Sequence, residues 1–153
     1  MNSKPELVKA ILLEIDQRKN YLEEGVETIY FGGGTPSVLD EDELNFILHK
    51  INREFKVSKN AEITLECNPD DLTREKLEQL NKAGINRLSI GLQSFNEAEL
   101  KWMNRAHTAM ESLNCVKLAQ DKGFDNITID LIYGSKFQDM ESWGRTLQTV
   151  VNL

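Results

Sequence analysis

The sequence predicts an α/β fold: a partial, open (βα) barrel of parallel strands with outer helices. Two observations carry that prediction. Short β-rich runs alternate with stretches of helical periodicity along the whole chain, the pattern of parallel βα units. Each strand also alternates apolar with polar residues, where a parallel sheet covered on both faces would read as continuous Val, Ile and Leu. One face of every strand is therefore polar.

The elements follow in order. Val8, Ile11, Leu12, Ile15 and Leu22 recur at helical spacing after Pro5, predicting a helix over 5–24. ETIYF (27–31) is the first strand and runs into the Gly-rich turn GGGTPS (32–37). Asp40 followed by Glu43 reads as a capping box opening a helix to residue 54. AEITLEC (61–67) is the second strand, closed by Asn68-Pro69. Thr73 starts a helix that Gly84 stops. NRLSIGLQ (86–93) is the third strand, followed by a short helix near 97–103 and a longer one near 109–122 ended by Gly123. DNITIDLIYG (125–134) is the fourth strand, and residues 139–152 form the last helix.

Side chains change face at each strand residue. Leu88, Ile90 and Leu92 thus share one face of the third strand, and Arg87, Ser89, Gly91 and Gln93 the other. Ile63, Leu65 and Cys67 oppose Glu62, Thr64 and Glu66; Ile127, Ile129 and Leu131 oppose Asn126, Thr128 and Asp130. In the first strand Ile29 and Phe31 oppose Thr28, Tyr30 and Gly32. Unpaired buried polar groups cost about 1–3 kcal/mol each, so four polar faces call for water or a polar ligand. A closed barrel fills its interior with branched apolar side chains. An open barrel segment with a polar lumen is the economical alternative. Barrel sites are built at the C-terminal ends of the strands, which nominates Gly32 to Thr35, Glu66, Gln93 and Asp130.

Composition excludes several classes. A net charge of −7 and a pI near 4.9 argue against a nucleic-acid partner, which needs a concentrated basic surface. No apolar run approaches the roughly 20 residues of a membrane span, and the N-terminal stretch lacks a signal peptide's apolar core. Cys67 and Cys115 lie far apart, with neither disulfide-framework nor metal-ligand spacing, so a reducing, cytoplasmic setting is expected. Both read as packing residues, as do His107, Trp102 and Trp143. The pairs Asp40–Glu43 and Asp70–Asp71 read as caps and solvated charge.

Five segments in register then resemble a known family. TIYFGGGTPS, ITLECNPDDLT, INRLSIGLQSFN, LKWMNRAH and NITIDLIYG are similar, in order and spacing, to the oxygen-independent coproporphyrinogen III oxidase and haem-chaperone family of radical S-adenosylmethionine proteins. The resemblance implies a radical-SAM barrel and a cofactor-binding set. Gly33, Gly34 and Thr35 would meet the methionine end of S-adenosylmethionine, where glycine lets backbone approach a ligand closely. Glu66 would pair with its cationic groups or accept from ribose hydroxyls. Gln93, both donor and acceptor, would suit the ribose diol, as would Asp130. Arg105 would clamp the methionine carboxylate. Each has a plain structural alternative: a tight turn for the glycines, a solvated charge for Glu66, a cavity-lining amide for Gln93, an ion pair for Asp130 and a surface cation for Arg105. An acid inside ITIDLIY is disfavoured by β-propensity and burial, so Asp130 is expected to have a compensating partner.

The departures from the family matter equally. Its CxxxCxxC loop, which holds a 4Fe-4S cluster, is absent from this sequence, and Gly134-Ser135-Lys136-Phe137 stands where the family often has Gly-Leu-Pro-Gly. Residues 1–153 therefore read as a single fragment of a radical-SAM barrel domain. Its first strand and cluster loop, further strands and a C-terminal domain would belong to a longer parent. The resemblance implies S-adenosylmethionine as cofactor, the 4Fe-4S cluster in the parent only, and no catalytic or metal-binding residue in this chain. It implies a parent acting in porphyrin biosynthesis by oxidative decarboxylation of coproporphyrinogen III through a 5′-deoxyadenosyl radical. The alternative is a haem chaperone, to whose branch IGLQSFN and NRAH are the more similar. An empty βα scaffold is a third reading.

Overall fold

Helix α1 (Lys4–Gln17) carries Pro5 in its first turn, where a missing N–H costs nothing. The computed structural model describes residues 3–153. The helix stops at Gln17 instead of running to residue 24, and Leu22 is exposed in the turn that follows. The charged, Gly-ended run over 18–25 offers that turn no further apolar stripe to bury.

Four strands form the sheet: β1 (Val26–Phe31), β2 (Val57–Cys67), β3 (Arg87–Gln93) and β4 (Ile127–Leu131). They are hydrogen-bonded in sequence order, all parallel. Between them lie α2 (Glu41–Glu54), α3 (Arg74–Lys82), α4 (Glu97–Trp102) and α5 (Ala109–Asp121), and α6 (Met140–Val151) follows β4. The sheet is open, as the alternating strands require. Strand β2 starts earlier than its apolar run, at Val57, because Val26 pairs there before the register shifts to Thr28 opposite Glu62. Strand β4 is shorter than its sequence run, and Tyr133 beyond it is exposed.

One face of the sheet buries Leu65, Cys67, Leu88, Ile90 and Leu92 against Leu44, Ile47, Leu77, Leu80 and Val116 of the helices. Each such Leu, Ile or Val side chain contributes about 1.5–3 kcal/mol on burial. The opposite face holds Tyr30, Glu62, Thr64, Glu66, Arg87, Ser89, Thr128 and Asp130. Near its floor the Arg87 guanidinium donates to Glu62 (2.8 Å) and Thr128 (2.6 Å), tying three strands together. At the open β1 edge an apolar groove of about 540 Å³ runs between α1 and the sheet, lined by Leu7, Ile11, Ile15, Ile29 and Phe31.

Candidate functional site

The site begins where β1 turns. Gly33 and Gly34 adopt φ of 78° and 64°, the left-handed region that glycine occupies without penalty. At Gly32 a Cβ would fall 2.6 Å from the Tyr30 ring and 3.1 Å from Glu66 Oε1, so this backbone passes against the next strand's acid. Glu66 is held at both oxygens: Tyr30 Oη donates to Oε1 (2.8 Å) and the Gly33 N–H donates to Oε2 (3.0 Å). That hydrogen bond, with burial adding to it, pushes the Tyr30 phenol above its ordinary pKa.

Strand β3 supplies the middle of the site. Its pairing with β4 slips between Ile90 and Gln93, a bulge of the kind that re-aims side chains beside sites. Gln93 sits at φ 69°, an uncommon and strained conformation for a residue with a Cβ. Gly91 makes room for it, since a Cβ there would lie 2.8 Å from Gln93 Nε2. On β4, Asp130 is exposed to the lumen and accepts from Ser89 Oγ at 3.3 Å. Its partner is a hydroxyl instead of the ion pair that the structural alternative required.

Gly34, Thr35, Glu66, Ser89, Gln93 and Asp130 line one cavity of about 200 Å³ at the C-terminal ends of the strands. Three of the sequence-derived residues, Gly32, Gly33 and Arg105, stand just outside it. Gly33 reaches the cavity through its N–H on Glu66. Arg105 donates to the carbonyl of Gly91 in the cavity wall and to Asn68 Oδ1, both at 3.1 Å. Behind it, buried His107 bridges Asp70 (3.0 Å) and the Leu92 carbonyl (3.1 Å), which fixes the segment carrying Arg105 against β3. Asp70 and Asp71 are thus more than solvated charge, since Asp71 accepts from Ser37 at 2.5 Å. Trp102, expected to pack, is 54% exposed and packs edge-on against Phe137.

Sequence reasoning did not nominate Tyr30, Ser89 or Gly91. All three lay on the polar faces of the alternating strands, which was the available signal. Glu99 was missed without such a signal, because its acid looks like any helix-surface charge.

The donor set fits S-adenosylmethionine. Two carboxylates and an amide face one lumen, the glycine turn gives close backbone approach, and the Arg105 guanidinium stands at the side on the Gly91 carbonyl. It does not fit an iron–sulfur cluster. Among the described residues no group of three His, Cys, Asp or Glu side chains is placed to hold a metal. Cys67 and Cys115 are separate buried thiols that burial pushes up to about 12, whereas cluster ligands are thiolates.

The sequence matches the radical SAM superfamily over residues 3–150. The chain belongs to that superfamily. It is 38% identical over 129 residues to the heme chaperone HemW of Bacillus subtilis, covering 84% of this chain and 34% of that protein. It is also 38% identical over 130 residues to the oxygen-independent coproporphyrinogen-III oxidase-like protein HemZ of Bacillus subtilis, covering 84% and 26%. The structure superposes on the radical SAM enzyme coproporphyrinogen III oxidase HemN of Escherichia coli with a TM-score of 0.86 at 30% identity, covering 98% of this chain and 35% of that one. The chain therefore spans about a third of the length of its radical SAM relatives. Its open four-stranded sheet is a partial barrel of the radical SAM fold.

Proposed function

We propose that this chain is the S-adenosylmethionine-binding part of a longer radical SAM protein of porphyrin metabolism. The observation that carries the reading is the convergence of Gly34, Thr35, Glu66, Gln93 and Asp130 on one lumenal cavity. Glu66, immobilised at both oxygens, presents fixed negative charge to a sulfonium or ammonium group. Gln93 and Asp130, on neighbouring strands, accept from a ribose diol, and the Gln93 amide can donate in return. Arg105 takes the methionine carboxylate, and Gly33 and Gly34 admit the amino-acid end against bare backbone. Beside a reducing iron–sulfur cluster, which the longer protein would carry on its own cysteines, bound S-adenosylmethionine would supply radical chemistry. This chain's contribution is orientation and electrostatics.

The apolar groove beside β1 supports a longer protein, since a further strand laid there would pair the open edge and cover Ile29 and Phe31. The remaining barrel and a C-terminal domain would then complete the substrate's chamber. The leading reading of the whole is oxidative decarboxylation of coproporphyrinogen III. HemW relatives favour a second reading, haem binding and transfer. With no helix of the described residues able to cross a membrane and two reduced, buried thiols, the cytoplasm is the compartment that suits it.

Calorimetric titration of the full-length protein with S-adenosylmethionine tests the cofactor. Absence of saturable binding ends the proposal. Anaerobic turnover of coproporphyrinogen III with dithionite, set beside a haem titration followed by absorbance, separates the two readings.

A further inference from the structure

Glu99 of α4 is 1% exposed, yet the cofactor chemistry proposed above has no use for its carboxyl. Its two oxygens are divided between two loops: Oε2 accepts from Ser94 and Oε1 from Ser135. Ser94 directly follows Gln93 at the end of β3. Ser135 belongs to the loop that leaves β4, the strand of Asp130. Each serine also closes its own turn, accepting a backbone N–H two residues on, from Asn96 (3.0 Å) and from Phe137 (3.2 Å). The carboxyl therefore joins two ready-made turns.

Packing alone does not account for an acid here. Burying a carboxyl costs free energy that two hydroxyls recover only in part, and an apolar residue of similar volume often serves such a position as well or better. What the acid provides is a fixed two-point geometry. Other contacts dock the same loop onto α4: Phe137 meets the Trp102 ring edge-on at 6.2 Å, and Lys136 Nζ lies 5.8 Å from that ring's centroid. The strands themselves are linked one step away, where Ile132 N donates to the Gln93 carbonyl at 2.9 Å.

We infer that Glu99 is a positioning residue, which brackets the loops after β3 and β4 and so sets the orientation of Gln93 relative to Asp130. The inference rests on the S-adenosylmethionine reading, because those two residues are its diol-recognition pair. Strained Gln93 needs such support: φ 69° persists only where the surroundings over-determine it.

The experiment uses the full-length protein and S-adenosylmethionine, with Glu99→Leu, Glu99→Gln and Ser135→Ala. Affinity is read by calorimetry, and loop order by amide hydrogen exchange over 94–97 and 132–138. Glu99→Leu should weaken binding about tenfold, the scale of coupling between groups in one network, and speed exchange in both loops together. Glu99→Gln should stay within about twofold, because its amide accepts from one serine and donates to the other. Ser135→Ala should fall between them. A packing role predicts the reverse order, with leucine as good as the acid. Unchanged affinity in Glu99→Leu, or glutamine as weak as leucine, overturns the inference. If Glu99→Leu does not fold, Ser135→Ala decides: wild-type affinity and exchange in that variant overturn it equally. If the wild type itself fails to bind S-adenosylmethionine, the cofactor reading falls. The exchange arm then stands alone, and loops that do not loosen together in Glu99→Leu sink the bracket.

Discussion

Glu66 shows how little freedom a site residue has once its neighbours are built. Tyr30 and the Gly33 N–H hold its two oxygens, and Gly32 is the residue that leaves space for that arrangement. Asp130, by contrast, has one long hydrogen bond and an open lumenal face, so its carboxylate is free to take a ligand hydroxyl. In the full-length protein, Asp130→Ala should weaken S-adenosylmethionine binding by about 1–3 kcal/mol, the value of a charge-assisted hydrogen bond. Equal affinity by calorimetry would remove Asp130 from the site. Gly91→Ala separates fold from function. Its new Cβ would crowd the side-chain end of Gln93 at 2.8 Å, with the Cys67 carbonyl at 3.7 Å and Arg105 Nη2 at 3.8 Å in ordinary contact. The thermal midpoint should hold while affinity drops, and a variant that lost stability with unchanged affinity would contradict the role given to Gln93.

The elements owe their ends to local chemistry. Asp40 caps α2 and Thr108 caps α5, each in a complete capping box with Glu43 and Glu111. Thr108→Ala should cost about 1 kcal/mol, measured as a shift in the denaturation midpoint. An unshifted midpoint would show that α5 is held by packing alone. The caps also set an acid limit. The Glu43 backbone N–H holds Asp40 below its ordinary 3.8, and the Ser142 N–H does the same for Asp139 at the start of α6. A carboxylate whose pKa is depressed by folding adds stability that is present above its unfolded value. That stability disappears as pH falls through the lower, folded value. Unfolding midpoints followed from neutrality to about pH 2 should therefore fall most steeply below 3.8, and Asp40→Asn should flatten that limb. The loop after β4 has a comparable local cause. Ser135 supplies one of the two hydroxyls that satisfy buried Glu99.

At the scale of the whole molecule the sheet is open on both sides, with β1 and β4 as its edges and an apolar groove alongside β1. The thiols are inside, protonated and apart. This chain by itself, reconstituted anaerobically with iron and sulfide, should assemble no stable 4Fe-4S cluster and form no 5′-deoxyadenosine with dithionite. A reducible cluster seen by electron paramagnetic resonance would mean that thiols pushed up to about 12 by burial can be recruited after all.

Period and punctuation were enough to place most of the fold. Alternation in RLSIGLQ and ITIDL named the lumenal face, the capping pairs marked helix starts, and the glycines at 84 and 123 marked helix ends, because each of these signals acts within a few residues. The candidates Glu66, Gln93 and Asp130 were legible for the same reason. What the sequence could not show depended on contacts made across the sheet. The early start of β2 at Val57 and the bulge before Gln93 were decided by pairing between strands far apart in the chain. Tyr30 on Glu66, Arg105 on Gly91 and Glu99 between two serines join residues separated by anything from five to 36 positions. No local periodicity encodes such partners. Only the closing of the strands side by side brings their side chains within reach.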